Sequence, residues 1–212
     1  MLLEQPIQIE LKSTLTDLIK ILSNIIKIHI PSNLVSDTIR KFYDKGLQEQ
    51  EIKLEMNFRR NPTQITALES YTFDNIKGMT DEIAEKLRKE IMLSHFQNES
   101  LAKMQKRVQE VMKVGVNRAK MIARTEGNRA MNMGRLDAAK QSGVPSKKWL
   151  LITYDSRTSN ISKAMGAKYG SPEQAIPLNK NFRAEVNGKV FEGPAPPFHP
   201  NERDRLMVEV TA

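Results

Sequence analysis

The chain has 212 residues, 39% hydrophobic and 27% charged, with 33 Lys+Arg against 25 Asp+Glu and a net charge of +8. That length allows one large domain or two small ones, and the apolar content suffices for a core, which excludes wholesale disorder. The absence of cysteine excludes disulfides, Fe–S clusters and Cys-ligated zinc; His29, His95 and His199 remain as imidazole donors, and neither a metal nor a cofactor is expected.

The charge is unevenly placed. Residues 1–100 carry 13 basic and 15 acidic side chains, residues 101–148 carry 12 and 3, and residues 149–212 carry 8 and 7. The excess therefore lies in one stretch, which points to contact with nucleic acid or an acidic protein surface. A solvated helix face would read the same way. The most apolar run, 15–30, is interrupted by Asp17, Lys20 and Lys27, so no membrane span is expected. Glu4 and the lack of a charged-then-apolar pattern argue against a secretion signal.

In chain order the first elements read as helices. Residues 14–27 place Leu15, Leu18, Ile19, Leu22, Ile25 and Ile26 at spacings of three and four, and Pro31 ends that helix. Ser32 or Asn33 can cap a second one through Lys45, closed by Gly46. Residues 47–58 fit a helix or, through alternating Ile52, Leu54 and Met56, a strand. Asn61-Pro62 reads as a break before a helix at 64–76. Thr80 with Asp81 and Glu82 reads as the N-cap of a helix to about His95. Asn98 or Ser100 begins the next, which Gly115 should end, and Asn117 should cap a long helix to Gln141 with Gly143 beyond it.

The pattern then changes. Residues 148–154 are strand-like, 157–165 fit a short helix, and Gly166, Gly170, Pro172 and Pro177 mark a loop. Asn187-Gly188 between 182–186 and 189–191 is a hairpin signal, because a type I′ turn needs positive φ at both positions. A Gly-Pro-rich segment at 193–197 precedes a last strand at 205–210. The order implies an α+β fold, with an N-terminal helical region followed by long helices packed on a small antiparallel sheet. A boundary is expected after 78, with 1–78 as a helical docking region and 79–212 as the α+β domain.

On a helical wheel, Ala119, Ile122, Ala123, Ala130, Met133 and Asp137 cluster around Glu126, while Lys120, Arg124 and Arg135 fall on the far side. A carboxylate on an apolar stripe needs a partner, because burying it alone costs several kcal/mol. Arg129 at i+3 can supply one, as can a basic residue from the sheet. Lys103, Lys106, Arg107, Lys113, Arg118, Lys120, Arg124 and Arg135 are the candidate nucleic-acid contacts, joined in sequence by Lys147 and Lys148. Aromatic residues are absent from 101–148, which disfavours stacking on single-stranded bases and leaves non-specific phosphate contact.

A series of short motifs runs through the second half: Ala123-Arg124-Thr125-Glu126, Gly134-Arg135, Gly143-Val144, Lys148-Trp149, Asp155-Ser156-Arg157-Thr158, and His199-Pro200-Asn201-Glu202-Arg203-Asp204. In order and spacing it resembles the phage head morphogenesis family typified by phage Mu protein F, the minor head (minor capsid) proteins, over about residues 80–210. The resemblance marks Thr125, Glu126, Trp149, Asp155, Arg157, Thr158 and Asn201 as motif residues. It implies a low-copy protein of a tailed-virus or prophage particle, acting in head assembly near the portal and beside packaged DNA. It also implies a C-terminal region similar to barnase-type nucleases and related toxins. Partners would be portal or major capsid protein and, non-specifically, double-stranded DNA; the oligomeric state is not legible. Relatives carry a His where this chain has Ser162, and an Asn-Cys-Arg-Cys motif where it has Asn201-Glu202-Arg203-Asp204, so metal binding through those positions is not expected. Glu202 and Asp204 could hold a hard cation, but two carboxylates so spaced are common on exposed turns.

Two other functions fit the residues less well. One is a free-standing DNA-binding protein. The other is a metal-independent RNase, whose general base, acid and cation would have to come from Glu126, Arg157 and His199. Each of these has a plainer role: Glu126 in a salt bridge, Arg157 in a capping pair with Asp155, and His199 in a proline-rich turn.

Overall fold

The computed structural model describes residues 32–97, 99 and 101–211; the expected helix at 14–27, His29 and the expected caps Asn98 and Ser100 lie outside them. Three long helices come first: α1 (Ser32–Leu54), α2 (Pro62–Phe96) and α3 (Leu101–Gln141). There follow β1 (Ser146–Leu151), α4 (Asn160–Tyr169), a 3₁₀ turn (Pro172–Gln174), β2 (Ile176–Pro177), β3 (Phe182–Val186), β4 (Lys189–Gly193) and β5 (Arg205–Val210). The fold is α+β, as expected. Among the described residues no helix is long and apolar enough to cross a membrane.

The helices are fewer and longer than expected, and glycine explains part of the difference. Gly46 and Gly115 were expected to end helices, but each lies inside one. A Cβ on Gly46 would stand 2.0 Å from the backbone oxygen of Met131, and one on Gly115 would stand 2.7 Å from Cδ1 of Ile83. These glycines permit close packing rather than a left-handed turn. Residues 47–54 continue α1, which settles the helix-or-strand ambiguity, and Glu55 at φ 54 ends it. Asn117 and Thr80 are interior residues rather than caps. Asn61 is the cap of α2: its Oδ1 accepts from the Gln64 amide at 3.2 Å, and Pro62 takes the first helical position. Past Gly78 the helix is supported by a Glu82–Lys86 pair at 3.1 Å.

Gly78 is exposed within α2, and a Cβ there would meet nothing within 4 Å. Gly78→Ala is therefore expected to stabilise the protein by about 1 kcal/mol through helix propensity alone. A lower midpoint in urea unfolding would show a role for this glycine that the packing lacks.

The chain separates into two units, one spanning Gly78–Val116 and the other containing the described residues of 32–77 and 117–211. α1 and the first part of α2 share a unit with the C-terminal elements. In the smaller unit the two helical segments run antiparallel, as the Ile83–Gly115 approach and the Arg107–Glu90 pair at 2.8 Å require. Among the described residues, Met79, Ile83 and Leu87 are its buried apolar side chains.

The larger unit has two apolar clusters. In the first, Val35, Ile39, Tyr43 and Leu47 of α1 meet Ile65 and Leu68 of α2 and Ala130 and Ala138 of α3. Burying side chains of this size is worth about 1.5–3 kcal/mol each. The helices cross with little space between backbones: Gly134 answers Gly46, and its Cβ would lie 2.2 Å from the Tyr43 carbonyl oxygen. In the second cluster Leu136 of α3 packs with Leu150, Phe182, Ala184 and Leu206 from the sheets, Met165 of α4, and Ile152 just after β1. Phe182 stands edge-on to Tyr169 at 5.1 Å and to Phe198 at 6.1 Å.

Both sheets are antiparallel: three strands in the order β2-β1-β5, and the β3–β4 hairpin. The hairpin turn is the expected one, with Asn187 at φ 53 and Gly188 at φ 73. Gly143 at φ 65 follows α3, and β5 matches its expected span. The strand expected at 148–154 begins and ends earlier, because its ladder with β5 runs from Ser146↔Val210 to Leu151↔Arg205. The helix expected at 157–165 starts at Asn160, because residues 155–158 close a turn and Ser159 is the N-cap, accepting from the Ser162 amide at 3.0 Å.

Candidate functional site

Between Thr125 and Ala139, α3 is buried on nearly every side, unlike the narrow stripe expected from its sequence. Glu126 is buried, and Oε2 pairs locally with Arg129 at 2.9 Å while Oε1 accepts from Asn75 of α2 at 3.3 Å. Arg129 in turn lies over the Tyr71 ring at 4.9 Å. Of the two partners open to Glu126, the structure uses the local one. Thr125 Oγ1 donates to the Met121 carbonyl at 2.8 Å and accepts from the Asn201 amide at 3.0 Å, which ties the 199–204 loop to the helix. Asn201 takes φ 60 there.

Two asparagines one turn apart complete the tie. Asn128 Nδ2 donates to the carbonyls of Glu202 at 3.0 Å and Asp204 at 3.2 Å. Asn132 is fully buried; it donates to the carbonyls of Pro196 and Asp204 at 3.2 Å and accepts from the Leu206 amide at 3.0 Å. Sequence reading passed over both, although polar residues at i and i+4 on a buried face are a recoverable signal.

Arg135 was expected on the far, exposed side; the structure corrects this, since it is 2% exposed. It pairs with Glu49 at 2.7 Å and donates to Asn132 at 2.5 Å. Burial pushes its guanidinium below the usual arginine range, and Glu49 opposes that shift. The same holds for Lys148, whose side chain is buried rather than part of a basic face. Its Nζ donates to the Pro194 carbonyl at 2.7 Å, 5.0 Å from the Phe182 ring centroid, and burial lowers its pKa to about 8. Trp149, on the opposite side of β1, has a buried indole nitrogen without a hydrogen-bond partner among the described residues. Arg107 is held by Glu90 and Glu99, each at 2.8 Å. Lys103, Lys106, Lys113, Lys120 and Arg124 are exposed, and Arg118 is half-buried.

The Asp155–Thr158 motif is a turn with a job across the fold. The Thr158 hydroxyl accepts from the Asp155 amide at 2.7 Å and donates to the Thr153 carbonyl at 2.8 Å. Asp155 accepts from the Arg157 amide at 2.8 Å and meets the Arg157 guanidinium at 3.2 Å. Its two oxygens also take both terminal nitrogens of Arg203 at 2.7 Å. These contacts, Arg203 first, hold the Asp155 carboxyl well below the usual carboxylate range.

His199 packs on the cap of α4. Nε2 lies 2.7 Å from Ser159 Oγ and 3.2 Å from Ser162 Oγ, and Nδ1 lies 2.8 Å from the Pro200 carbonyl. A carbonyl only accepts, so Nδ1 carries a proton. Glu202 Oε2 accepts from the amides of Phe198 at 2.6 Å and His199 at 3.0 Å. Glu202 and Asp204, expected on an exposed turn, are 3% and 2% exposed. Burial, and then the Asp204 charge, raise Glu202 to about 8. Glu202 Oε1 and Asp204 Oδ2 are buried without a hydrogen-bond partner among the described residues. Among the described residues no three His, Cys, Asp or Glu side chains are grouped to hold a metal ion.

Two clefts flank the 199–203 loop. The larger, about 840 Å³, brings together Arg124, Asn128, Arg157, Ser159, His199, Asn201, Glu202 and Arg203. The smaller, about 260 Å³, is lined by Tyr71, Asn75, Arg118, Thr125, Glu126, Arg129 and the other side of His199. Arg157 and His199 thus share one cleft, while Glu126 opens on the other and is committed to Arg129 and Asn75.

A family model described as phage Mu protein F like protein matches residues 82–207, more than half of the chain. No curated protein and no solved structure matches it.

Proposed function

This chain belongs to the phage Mu protein F like family, and from that membership we infer that it is a minor head protein acting in head assembly near the portal of a tailed virus or prophage. What supports this reading is the family match over 82–207, together with a site built from structural ties. The motif residues Thr125, Asp155, Thr158 and Asn201 hold turns and loops to α3 and to one another. The protein partner is portal or major capsid protein, with the N-terminal helical region as the docking part. The setting is the virion interior or portal region, reached by assembly in the host cytoplasm. Packaged double-stranded DNA is a secondary contact, made without sequence preference by the exposed Lys103, Lys106, Lys113, Lys120 and Arg124.

Co-expression with the portal and major capsid proteins of the same genome tests the main claim. A stable complex that survives purification with one of them is the expected result; recovery of the chain alone, with both partners folded, would count against it. On its own the chain should bind duplex DNA weakly, with a log–log salt slope no steeper than about −4.5 for five cations. Nanomolar binding at physiological salt would favour a dedicated DNA-binding protein. An RNase activity abolished by Glu126→Gln, Arg157→Ala or His199→Ala would favour an enzyme.

A further inference from the structure

We propose that the larger cleft beside the 199–203 loop is a phosphate-binding site, with Arg124, Arg157 and Arg203 as its cationic ligands and Asn201 and His199 on its walls. The proposal does not rest on the head-assembly reading, because it concerns this chain alone.

Three arginines from three different segments line one concavity: Arg124 from α3, Arg157 from the turn before α4, and Arg203 from the loop before β5. Arg124 is exposed and has no ion-pair partner among the described residues. Arg203 is oriented by its two-point contact with Asp155. A guanidinium held by its terminal nitrogens still has N–H groups to offer, since it carries five donors. Arg157 makes a looser contact with the same carboxylate and leaves three-quarters of its side chain in solvent.

Asp155 neutralises Arg203 and, more loosely, Arg157, while Arg124 is left without an anionic partner among the described residues. Glu202 is the one acidic residue on its wall, and its Oε2 is turned onto two backbone amides. Burial, and then the Asp204 charge, raise its carboxyl above the usual carboxylate range. Three guanidiniums line the cavity and share one carboxylate, Asp155, so the cleft holds an excess of positive charge that a multiply charged anion offsets. A carboxylate offers two coplanar oxygens and satisfies one guanidinium fork. A phosphate offers oxygens in several directions and can meet arginines from three segments at once. The volume of about 840 Å³ exceeds a lone phosphate and admits a phosphodiester or nucleotide-sized group.

The test is calorimetric titration of the full chain with inorganic pyrophosphate, and separately with a short DNA duplex. Saturable pyrophosphate binding that weakens as salt rises is expected. Arg124→Ala should reduce affinity about tenfold or more, the loss of one charge-assisted contact. Because Arg124 has no partner to lose, its melting temperature should stay unchanged. Arg183→Ala, which removes an exposed arginine of β3, is the control and should bind as the parent does. Displacement of pyrophosphate by the duplex would identify phosphodiester as the source; binding of pyrophosphate without displacement would identify a free phosphate or nucleotide. Either supports the site. Absence of pyrophosphate binding, equal affinity in Arg124→Ala, or equal displacement by an oligoglutamate would overturn it.

Discussion

Replacing Gly46 by alanine is expected to destabilise the larger unit by about 3 kcal/mol or more, in a helix interior where the same change normally stabilises. Propensity alone favours alanine by about 1 kcal/mol. Against that, the new Cβ would stand 2.0 Å from the Met131 carbonyl oxygen and 3.1 Å from the Arg135 amide nitrogen. These are backbone atoms, so a side-chain rotation cannot relieve the clash; α1 and α3 must separate. Separation would loosen Tyr43 and Leu47 from Ala130 and Ala138. It would also strain the Tyr43 hydroxyl bond to Asp137 at 2.6 Å, a buried contact between two groups whose ionisation is already resisted by burial. Gly134→Ala should behave alike, since its Cβ would stand 2.2 Å from the Tyr43 carbonyl. The double substitution should cost clearly less than the sum, because one displacement relieves both clashes. Urea unfolding of the four proteins measures all three numbers. Additive losses, or a stabilised Gly46→Ala, would show that the helices do not cross this closely.

The second large effect concerns pH. Stability should fall as pH rises from about 4.5 towards 8, and Glu202→Gln should remove much of that slope. In the folded chain Glu202 keeps its proton up to about 8, whereas its ordinary value is 4.5. Below pH 4.5 both states are protonated and the contribution is fully present. Between the two values the unfolded chain sheds the proton first, so it gains relative to the native state. Above 8 the native pair carries two buried negative charges, Glu202 and Asp204, and the contribution is lost. The shift corresponds to a loss on the order of 5 kcal/mol across that window. Glutamine keeps an oxygen for the Phe198 and His199 amides and an N–H for Asp204, without the titration. Denaturation midpoints for both proteins between pH 4.5 and 9 should converge at the acidic end and diverge at the basic end. Parallel profiles would mean that Glu202 is ionised in the native state. The same measurement bears on the loop that walls the phosphate cleft, since Glu202 fastens Phe198 and His199 to it.

The motifs Ala123–Glu126, Asp155–Thr158 and His199–Asp204 were legible in the sequence as a series, and so was the family, whose model covers 82–207. What each motif residue touches was not. Asp155 serves Arg203, 48 residues away, and Thr125 serves Asn201, 76 residues away. No local pattern encodes such a partner, because the contact exists only when the sheet and α3 have packed. For the same reason Arg135 and Lys148 read as surface charge: a side chain's burial depends on what covers it, and α1 covers one while Pro194 and Phe182 cover the other.

Residue chemistry by itself determined what depends on neighbours a few positions away. The Asn187-Gly188 turn, the left-handed Gly143 after α3, the Asn61-Pro62 helix start, the strand at Arg205–Val210 and the α+β order all follow from local φ preference, capping and periodicity. Tertiary structure alone decided where helices do not end. Gly46 and Gly115 carry the same local signal as Gly143, yet only Gly143 lies beyond a helix. A glycine tells the chain that a Cβ is missing; whether the space goes to a turn or to a second backbone is settled by the helix that arrives there. The two readings differ in free energy by contacts that the sequence near Gly46 does not contain, since Met131 and Arg135 lie more than 80 positions away.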